Sequence, residues 1–461
     1  MIRFSRVKKI HFVGVGGSGM SGIAEVLNNM GFVVTGSDIS ESATINSLRK
    51  TGVKVFLGHK KENVKGIETL VYSSAIKKDN IEVLEALKMK IPVIPRAEML
   101  AELMRVKYSL AIAGTHGKTT TTSMVACILN TAKKDPTYVV GGKLKTEESG
   151  AKLGSSNYLI AEADESDGSF LKLFPTIAVI TNIEDDHLDY YGSLDKLIEA
   201  FIDFGNKVPF YGSVIINKDC DISRKIISNI NKRVVTFGLA PDADIVASDI
   251  KSTTFRSSFE LSVYGSEKGR VELNIGGLHN ISNALSAIAA SIESGIEIDI
   301  IKEGLQRFSL PDRRFQVLYK SDNILVVDDY AHHPTEVKAT IDTLKRGSFK
   351  RIFGVFQPHR YTRLQILMDQ FAESFSGLDS LVLAKLYAAN QEEIEEINSK
   401  ALTEKIKKSG LSNVINIDDF DDIISYLGRK LKDGDAVVFL SAGDLTNVAH
   451  RFGKKMEEEE R

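Results

Sequence analysis

"SLAIAGTHGKTTTTSMVACILN", residues 109–130, runs from an apolar stretch of buried-strand type, through a turn rich in Gly and Thr, into a helical apolar pattern. That order is what a phosphate loop needs. Backbone N–H groups at the helix N-terminus face an anion, and the helix dipole adds to the attraction. Lys118 would reach the β- and γ-phosphates of a nucleotide, and the Thr119 hydroxyl would take Mg2+. Gly114, Thr115, His116, Gly117 and Thr120 complete the loop. The match to the Walker pattern is imperfect, because Ile112 stands where its first glycine would fall. The plain alternative is a Gly/Thr-rich turn before a helix. Gly-Lys-Thr-Thr directly after a buried strand argues against it. The stretch therefore places an α/β domain with a parallel sheet in the middle of the chain.

Working outward, "HFVGVGGSGM", residues 11–20, holds Gly14-x-Gly16-x-x-Gly19, and Asp38 lies nineteen residues past Gly19. This is the outline of a dinucleotide-binding fingerprint. The glycines at 14, 16 and 19, with Gly17 and Ser18 beside them, let backbone approach a pyrophosphate, and the helix starting near Ser18 points its N-terminus there. Such a turn recognises a diphosphate and says nothing about nicotinamide. Asp38, ending the strand "FVVTGSD", reads either as a ribose partner or as a structural turn residue. Ser73 and Ser74 end "TLVYSSAI" and face the same crevice. His59 and Arg96 are further candidates.

Downstream of the central loop, strands end in polar clusters. "AEADESDGSF" (161–170) crowds Glu162, Asp164, Glu165 and Asp167 together. So many carboxylates repel one another unless a cation neutralises them, which points to a Mg2+ site somewhere in this cluster; a solvated acidic loop is the plain alternative. "TNIEDDHLDYYG" (181–192) sets His187 among acids, where it reads either as a second metal or phosphate contact or as an ordinary core or surface histidine. From about 233 to 276, "RVVTFG", "DIVASDI", "FELSVYG" and "RVELNIGG" are rich in β-formers and predict an antiparallel annex. "GGLHNISNALSA" then puts His279, Asn280 and Asn283 at a helix start. The two asparagines share a face, and capping accounts for one of them but not both. The last third again alternates strands and helices, with "PDRRFQ", "DDYAHHPTEV" and "FQPHRYTR" at strand ends. Arg360 and Arg363, i and i+3, suit a bidentate carboxylate or phosphate partner, or form a surface pair.

Bulk properties bound the function. The 461 residues are 43% hydrophobic and 26% charged, with formal net charge −2. That is an ordinary soluble composition, long enough for about three domains. No clustered basic excess marks a nucleic-acid binder. Cys127 and Cys220 lack metal-type spacing and read as inert thiols in a reducing compartment. No run approaches the ~18 apolar residues of a membrane span. Arg3, Arg6, Lys8 and Lys9 lead into a strand, not into a signal-peptide core. The expectation is a cytoplasmic monomer or homodimer.

Taken in order, the Gly14 turn with "MSGIAEVL", "GTHGKTTT", "EADESDGSF", "TNIEDDHLDYYG", "LHNISNA", "DDYAHHPTEV" and "FQPHRYTR" resemble the Mur ligases nearly end to end, from about 10 to 450. The resemblance implies three α/β domains: a Rossmann-like UDP-sugar domain (1–107), a P-loop ATP domain with the annex (108–310), and a Rossmann-like amino-acid domain (311–461). It implies ATP-dependent joining of L-alanine to the lactyl carboxylate of UDP-N-acetylmuramate through an acyl phosphate, with ATP and Mg2+. It gives phosphate and Mg2+ binding to Lys118 and Thr119, the metal to Glu162 and His187, and nucleotide contacts to His279, Asn280 and Asn283. Arg314 matches an arginine reaching from a domain junction, and Asp329 an acid near ATP. Tyr330, His332, Arg360 and Arg363 match the region receiving alanine and the sugar's carboxylate. Asp312, the loop 387–399 and Ser441 depart from the family pattern. A ligase adding a preformed tripeptide, an NAD-dependent oxidoreductase and a nucleotide-driven switch protein are the alternatives. The oxidoreductase leaves the phosphate loop and the acidic strand ends without a role, and product analysis decides between a ligase and a switch protein.

Overall fold

Each of the three sheets grows from buried apolar strands whose carboxyl ends open into the motifs above. The computed structural model describes residues 7–77, 79–140, 151–321, 324–389 and 391–460, and of Ser18 and Glu460 the backbone alone. Arg3 and Arg6 lie outside them.

The first sheet contains β1 (Lys9–Val13), β2 (Val33–Asp38), β3 (Lys54–Leu57), β4 (Thr69–Tyr72) and β5 (Val93–Pro95), all parallel, in the order β3-β2-β1-β4-β5. The chain winds outward from β1 to one side and then restarts at β4 on the other. The gap between β1 and β4 is thus a topological switch point, where ligands of open α/β sheets bind beyond the carboxyl ends. The Gly14 turn follows β1, and Ser73 and Ser74 follow β4.

The second sheet has ten strands: β6 (Tyr108–Ala113), β7 (Thr137–Val139), β8 (Ala151–Lys152), β9 (Tyr158–Glu162), β10 (Ile177–Ile180), β11 (Ser213–Asn217), β12 (Val234–Gly238), β13 (Ile245–Ser252), β14 (Ser257–Val263) and β15 (Ser266–Leu273). Their order is β15-β14-β13-β12-β11-β10-β6-β9-β7-β8. β6 lies between β9 and β10, in parallel register with both. The chain crosses from one side of β6 to the other, so its end is again a switch point. β6 is buried from Ser109 onward, as expected for a parallel strand covered on both faces.

The annex differs from expectation in one respect. "RVVTFG" forms β12, which pairs in parallel with β11, and β13 joins β12 in parallel at Phe237 and Gly238. The antiparallel part begins only after β13. β14 and β15 are linked by Tyr264 and Gly265 alone, at φ 49° and 74°. A two-residue link with both φ positive makes a tight antiparallel hairpin.

The third sheet contains β16 (Gln316–Lys320), β17 (Ile324–Asp329), β18 (Arg351–Phe356), β19 (Ser380–Leu383), β20 (Val414–Asn416) and β21 (Asp435–Leu440), in the order β16-β17-β21-β18-β19-β20. Only β16 is antiparallel to its neighbour.

The chain forms two compact units. One is Met1–Asp249, Phe259–Glu272 and Ser282–Phe308, and the other is Ile250–Ser258, Leu273–Ile281 and Ser309–Arg461. Within the first, one apolar core runs from Ile10 and Phe12 through Ala111 to Val214 and Ile216. The helix Ser18–Asn29 packs against β7 and β8. A Cβ at Gly22 would lie 2.9 Å from the Ala151 side chain, so the close approach depends on glycine there. No helix among the described residues is long and apolar enough to cross a membrane.

Candidate active site

The turn after β6 is built by backbone that only glycine permits. Gly114 has φ 128°, and a Cβ there would sit 2.1 Å from the Thr181 hydroxyl. Gly117, at φ 84°, starts the helix Lys118–Thr131 with no capping side chain. The segment after β10 pins the turn. Thr115 N–H donates to the Asn182 carbonyl (3.1 Å), His116 N–H to Asn182 Oδ1 (2.8 Å), and Thr181 Oγ1 to the His116 carbonyl (2.6 Å). Asn283 meets the loop from the helix Leu278–Glu293. A Cβ on Gly117 would lie 2.3 Å from its Oδ1. Asn280 instead donates to the Gly276 carbonyl at 2.7 Å, which is the capping use. His279 is exposed at the same helix start.

Lys118 is folded back into this turn. Its Nζ donates to the carbonyls of Gly114 (2.6 Å) and Thr115 (3.2 Å) and to Glu165 Oε1 (2.8 Å). Glu162 ends β9 opposite Ile112, two residues before Gly114. His187 sits at φ 59°, a conformation most residues avoid, and this turns its Nε2 to 3.8 Å from Glu165 Oε1 and 3.4 Å from Asp186 Oδ2. Burial raises the Glu165 carboxyl to about 7; Lys118 opposes that and Asp164 adds to it. Burial works against the Lys118 charge, but Glu165, Asp164 and Glu162 outweigh it and hold the ammonium above its usual range. Carboxylates outnumber ammonium groups here, so the site favours added positive charge.

In the first sheet, Gly14 has φ 78°, and a Cβ there would press on the Ser73 side chain at 3.2 Å. Asp38 accepts from Gly16 N–H (2.8 Å) and, through its other oxygen, from Ile39 N–H (2.8 Å). Of the two uses open from sequence, the structure displays the structural one. Gly17 caps the following helix, and no side chain among the described residues accepts from the first N–H groups there. Arg96 crosses this helix start. Its Nη1 lies 2.4 Å from where a Gly19 Cβ would be, and its Nη2 lies 3.5 Å from Asp164. His59 turns inward instead, at 3.0 Å from both Glu82 Oε2 and Ser37 Oγ. Where the Gly14 turn takes the UDP-sugar and the loop at Lys118 takes ATP, as the resemblance implies, Gly16→Val is expected to abolish UDP-sugar binding and to spare ATP binding, because its side chain collides with Asp38 and fills the approach to the turn. Separate titrations of the two nucleotides check this; equal loss of both would show general misfolding.

The second unit gathers its candidates at the ends of β17, β18 and β21. His332 Nδ1 lies 2.9 Å from the Tyr330 carbonyl and 3.3 Å from Glu336 Oε2. Burial lowers this imidazole to about 3, Glu336 pulling the other way, so the ring is neutral at pH 7. Tyr330 stacks under two guanidiniums, Arg313 at 4.8 Å and Arg314 at 5.0 Å, and Arg314 also reaches Glu336 at 3.9 Å. Asp329 accepts from Phe315 and Ala331 N–H groups at 2.7 and 2.8 Å, and burial raises it to about 6. Arg363 lies in the first turn of the helix Tyr361–Ser374, 3.3 Å from His359 Nδ1. Arg360 is not on that helix. It caps it at φ 68°, ψ 133°, a conformation nearly reserved for glycine, held by its N–H bond to the Tyr387 carbonyl. Ser441 has a definite job despite its departure from pattern. Its hydroxyl donates to Gln357 (2.9 Å) and accepts from Gly443 N–H (2.8 Å), building the turn after β21. Asp312 is exposed.

Family models described as Mur ligase family, catalytic domain; Mur ligase middle domain; and Mur ligase, glutamate ligase domain match residues 9–108, 112–291 and 313–443. A UDP-N-acetylmuramate–L-alanine ligase of Sulfurihydrogenibium sp. is 46% identical over 457 residues, 99% of each chain. The chain belongs to the Mur ligase family. The solved UDP-N-acetylmuramate–alanine ligase of Thermotoga maritima superposes with TM-score 0.83 at 27% identity, covering 98% of this chain and 99% of that one. A murein peptide ligase of Psychrobacter arcticus gives TM-score 0.70 at 25% identity, covering 96% and 98%.

As in other α/β enzymes, this Mur ligase's polar side chains converge from strand ends far apart in sequence. Sequence reading did not single out Glu165 as the partner of Lys118, nor Asn182, Glu336, His359 or Gln357. Glu336 carried a usable signal, since it is four residues past His332 across a helix start. Asn182 carried none beyond ending a strand.

Proposed function

We propose that this protein joins L-alanine to the lactyl carboxylate of UDP-N-acetylmuramate with cleavage of ATP to ADP and phosphate, a step of peptidoglycan-precursor synthesis in the cytosol. The observation that carries this reading is the full-length 46% identity to proteins of that activity. The murein peptide ligase is less similar in sequence and in fold. Residues 1–107 would hold the UDP-sugar at the Gly14 turn with Ser73, Ser74 and Arg96. Residues 108–310 would hold ATP at 114–120, with Asn283 beside the loop and His279 and Asn280 at the same helix start. Residues 311–461 would receive alanine and the sugar's carboxylate at Tyr330, His332, Arg360 and Arg363, with Arg314 and Asp329 near the nucleotide.

A carboxylate does not react with an amine at neutral pH. One lactyl oxygen attacks the γ-phosphorus, the bond to the β-phosphate oxygen breaks, and ADP leaves an acyl phosphate. The alanine amine then attacks the carbonyl carbon, and collapse of the tetrahedral intermediate expels phosphate. The protein's work is positioning and charge. Lys118 meets the phosphates from the loop. Arg360 and Arg363 offer planar donors for carboxylates. With Nδ1–H directed at the Tyr330 carbonyl, neutral His332 presents the Nε2 lone pair to an incoming ammonium.

The surplus of carboxylates around Lys118 fits a divalent cation. Thr119, Glu162 and His187 are the side chains that would hold it. When bound, Mg2+ supplies charge neutralisation to the phosphates. Glu162→Gln is expected to raise the Mg2+ concentration for half-maximal activity about tenfold, since an amide is a poorer ligand for a hard cation. An unchanged activity-versus-Mg2+ curve would remove Glu162 from the set.

Mass spectrometry of UDP-N-acetylmuramate, ATP, Mg2+ and L-alanine after incubation with the protein tests the activity. The expected product carries one alanine residue in amide linkage. ADP without amide would indicate a switch protein. Product only when a tripeptide replaces alanine would indicate the peptide ligase.

A further inference from the structure

Lys118 and Glu165 are more tightly engaged with each other than a waiting phosphate site requires. An ammonium has three N–H donors, and Lys118 gives them to three acceptors: Gly114 O, Thr115 O and Glu165 Oε1. No donor is left for a phosphate. Nucleotide can reach Lys118 only if one of these bonds is given up. The two carbonyls belong to the loop that must cradle the phosphates, so they travel with it. Glu165 belongs to the segment after β9, and it cannot follow. Its main-chain carbonyl accepts from the Tyr191 hydroxyl at 2.5 Å and from Gly168 N–H at 3.0 Å. Its side chain is 1% exposed, and Oε2 is buried without a hydrogen-bond partner among the described residues. A fixed, buried carboxylate thus faces a lysine on a flexible four-carbon stem.

The geometry points to Glu165 as a latch: a positioning residue that holds the Lys118 ammonium down against its own loop and competes with the terminal phosphates of the nucleotide for it. This rests on the reading of residues 114–120 as an ATP site and adds a residue that the reading does not contain. The latch makes nucleotide binding a replacement of one anion by another. With the latch shut, all three N–H donors of Lys118 are taken within the protein, and only a ligand presenting phosphate at the reach of Lys118 displaces Glu165. AMP, lacking the β- and γ-phosphates, leaves the latch shut. Selectivity for the triphosphate is then built partly outside the residues that touch it.

The test is equilibrium titration of the full-length protein with a non-hydrolysable ATP analogue, ADP and AMP, in EDTA and in Mg2+. The proteins are wild type, Glu165→Gln, Lys118→Met and the double variant. Glu165→Gln keeps the shape but loses the charge, and weakening a charged hydrogen bond is worth about tenfold in affinity. The expected result is tighter binding of the ATP analogue by about that factor, a smaller gain for ADP and none for AMP. In the Lys118→Met background the same change has no effect. Weaker or unchanged analogue binding in Mg2+ would overturn the latch and mark Glu165 as a cation ligand or a bystander. An equal gain in the Lys118→Met background would overturn it in favour of direct repulsion. Should Glu165→Gln fail to fold, Glu165→Asp, one methylene short of Lys118, takes its place with the same expected direction. A wild-type protein that binds none of the three nucleotides removes the loop assignment and the latch together, whereas the other failures remove the latch alone.

Discussion

Lys118→Ala is expected to lower the ligation rate by about 10²–10³-fold or more while the protein remains folded. The ammonium sits at the N-terminus of the helix Lys118–Thr131, directly after β6, with Glu162 and Asn182 from the flanking strands on either side of the turn. Charge that develops on the transferred phosphoryl group has no comparable donor elsewhere in the loop. Loss of one preorganised charged contact in a water-poor site is worth several kcal/mol of transition-state stabilisation. Removal of the lysine leaves Glu165 buried without its partner, which by itself is destabilising. Burial has already raised that carboxyl to about 7, so it can take up a proton and limit the loss. The measurement is single-turnover product formation at saturating substrates, alongside circular dichroism and a melting curve. A folded variant that turns over at near-normal rate would detach this loop from ATP.

Lys118 was legible because its signal is local. A buried strand, two glycines at fixed spacing and a helix start all lie within one short stretch, and each glycine has a steric reason on inspection. Gly114 would strike Thr181, and Gly117 would strike Asn283. The Gly14 turn and the serines after β4 were legible for the same reason, since βα units put motif and strand end side by side. What escaped was everything that depends on which strand lies next to which. β21 is the last strand of the chain yet lies between β17 and β18. The turn that Ser441 builds with Gln357 therefore joins residues eighty-four apart. Nothing in "SAGD" says that a strand insertion will bring it there. Arg360 shows a different limit. Its spacing from Arg363 matches a helix face, but its backbone is the cap, and only coordinates reveal that. Glu165 was visible in a row of four acids, and the row could not say which of them would face a lysine.

Glu82 was also invisible in sequence, and its substitution carries the second large expected effect. It follows the cap of the helix Ile81–Lys88, in a stretch that reads as a solvated helix start. In the fold it is fully buried. Ser37 Oγ donates to it at 2.5 Å, Asn63 Nδ2 at 2.5 Å and Lys60 N–H at 3.2 Å, with His59 Nδ1 at 3.0 Å and His11 Nε2 at 3.7 Å. Burial pushes its carboxyl up, but His11, Ser37 and Asn63 together outweigh burial and bring it from 4.5 down to about 2. The folded state therefore binds the proton less readily than the unfolded chain does. The stabilisation this confers is complete above pH 4.5 and is lost as pH falls towards 2. Its size, from the ratio of the two affinities, is about 3 kcal/mol. Glu82→Ala is expected to cost about 3–5 kcal/mol at pH 7, because it strands several buried partners at once. It also loosens the end of β2, where Asp38 holds the Gly16 turn, so UDP-sugar binding weakens in the surviving folded fraction. Glu82→Gln isolates the charge. Urea unfolding between pH 7 and 2 should show a flatter decline below pH 4.5 for this variant than for the wild type. Parallel curves over that interval would mean that the carboxylate is no better held in the fold than in the unfolded chain.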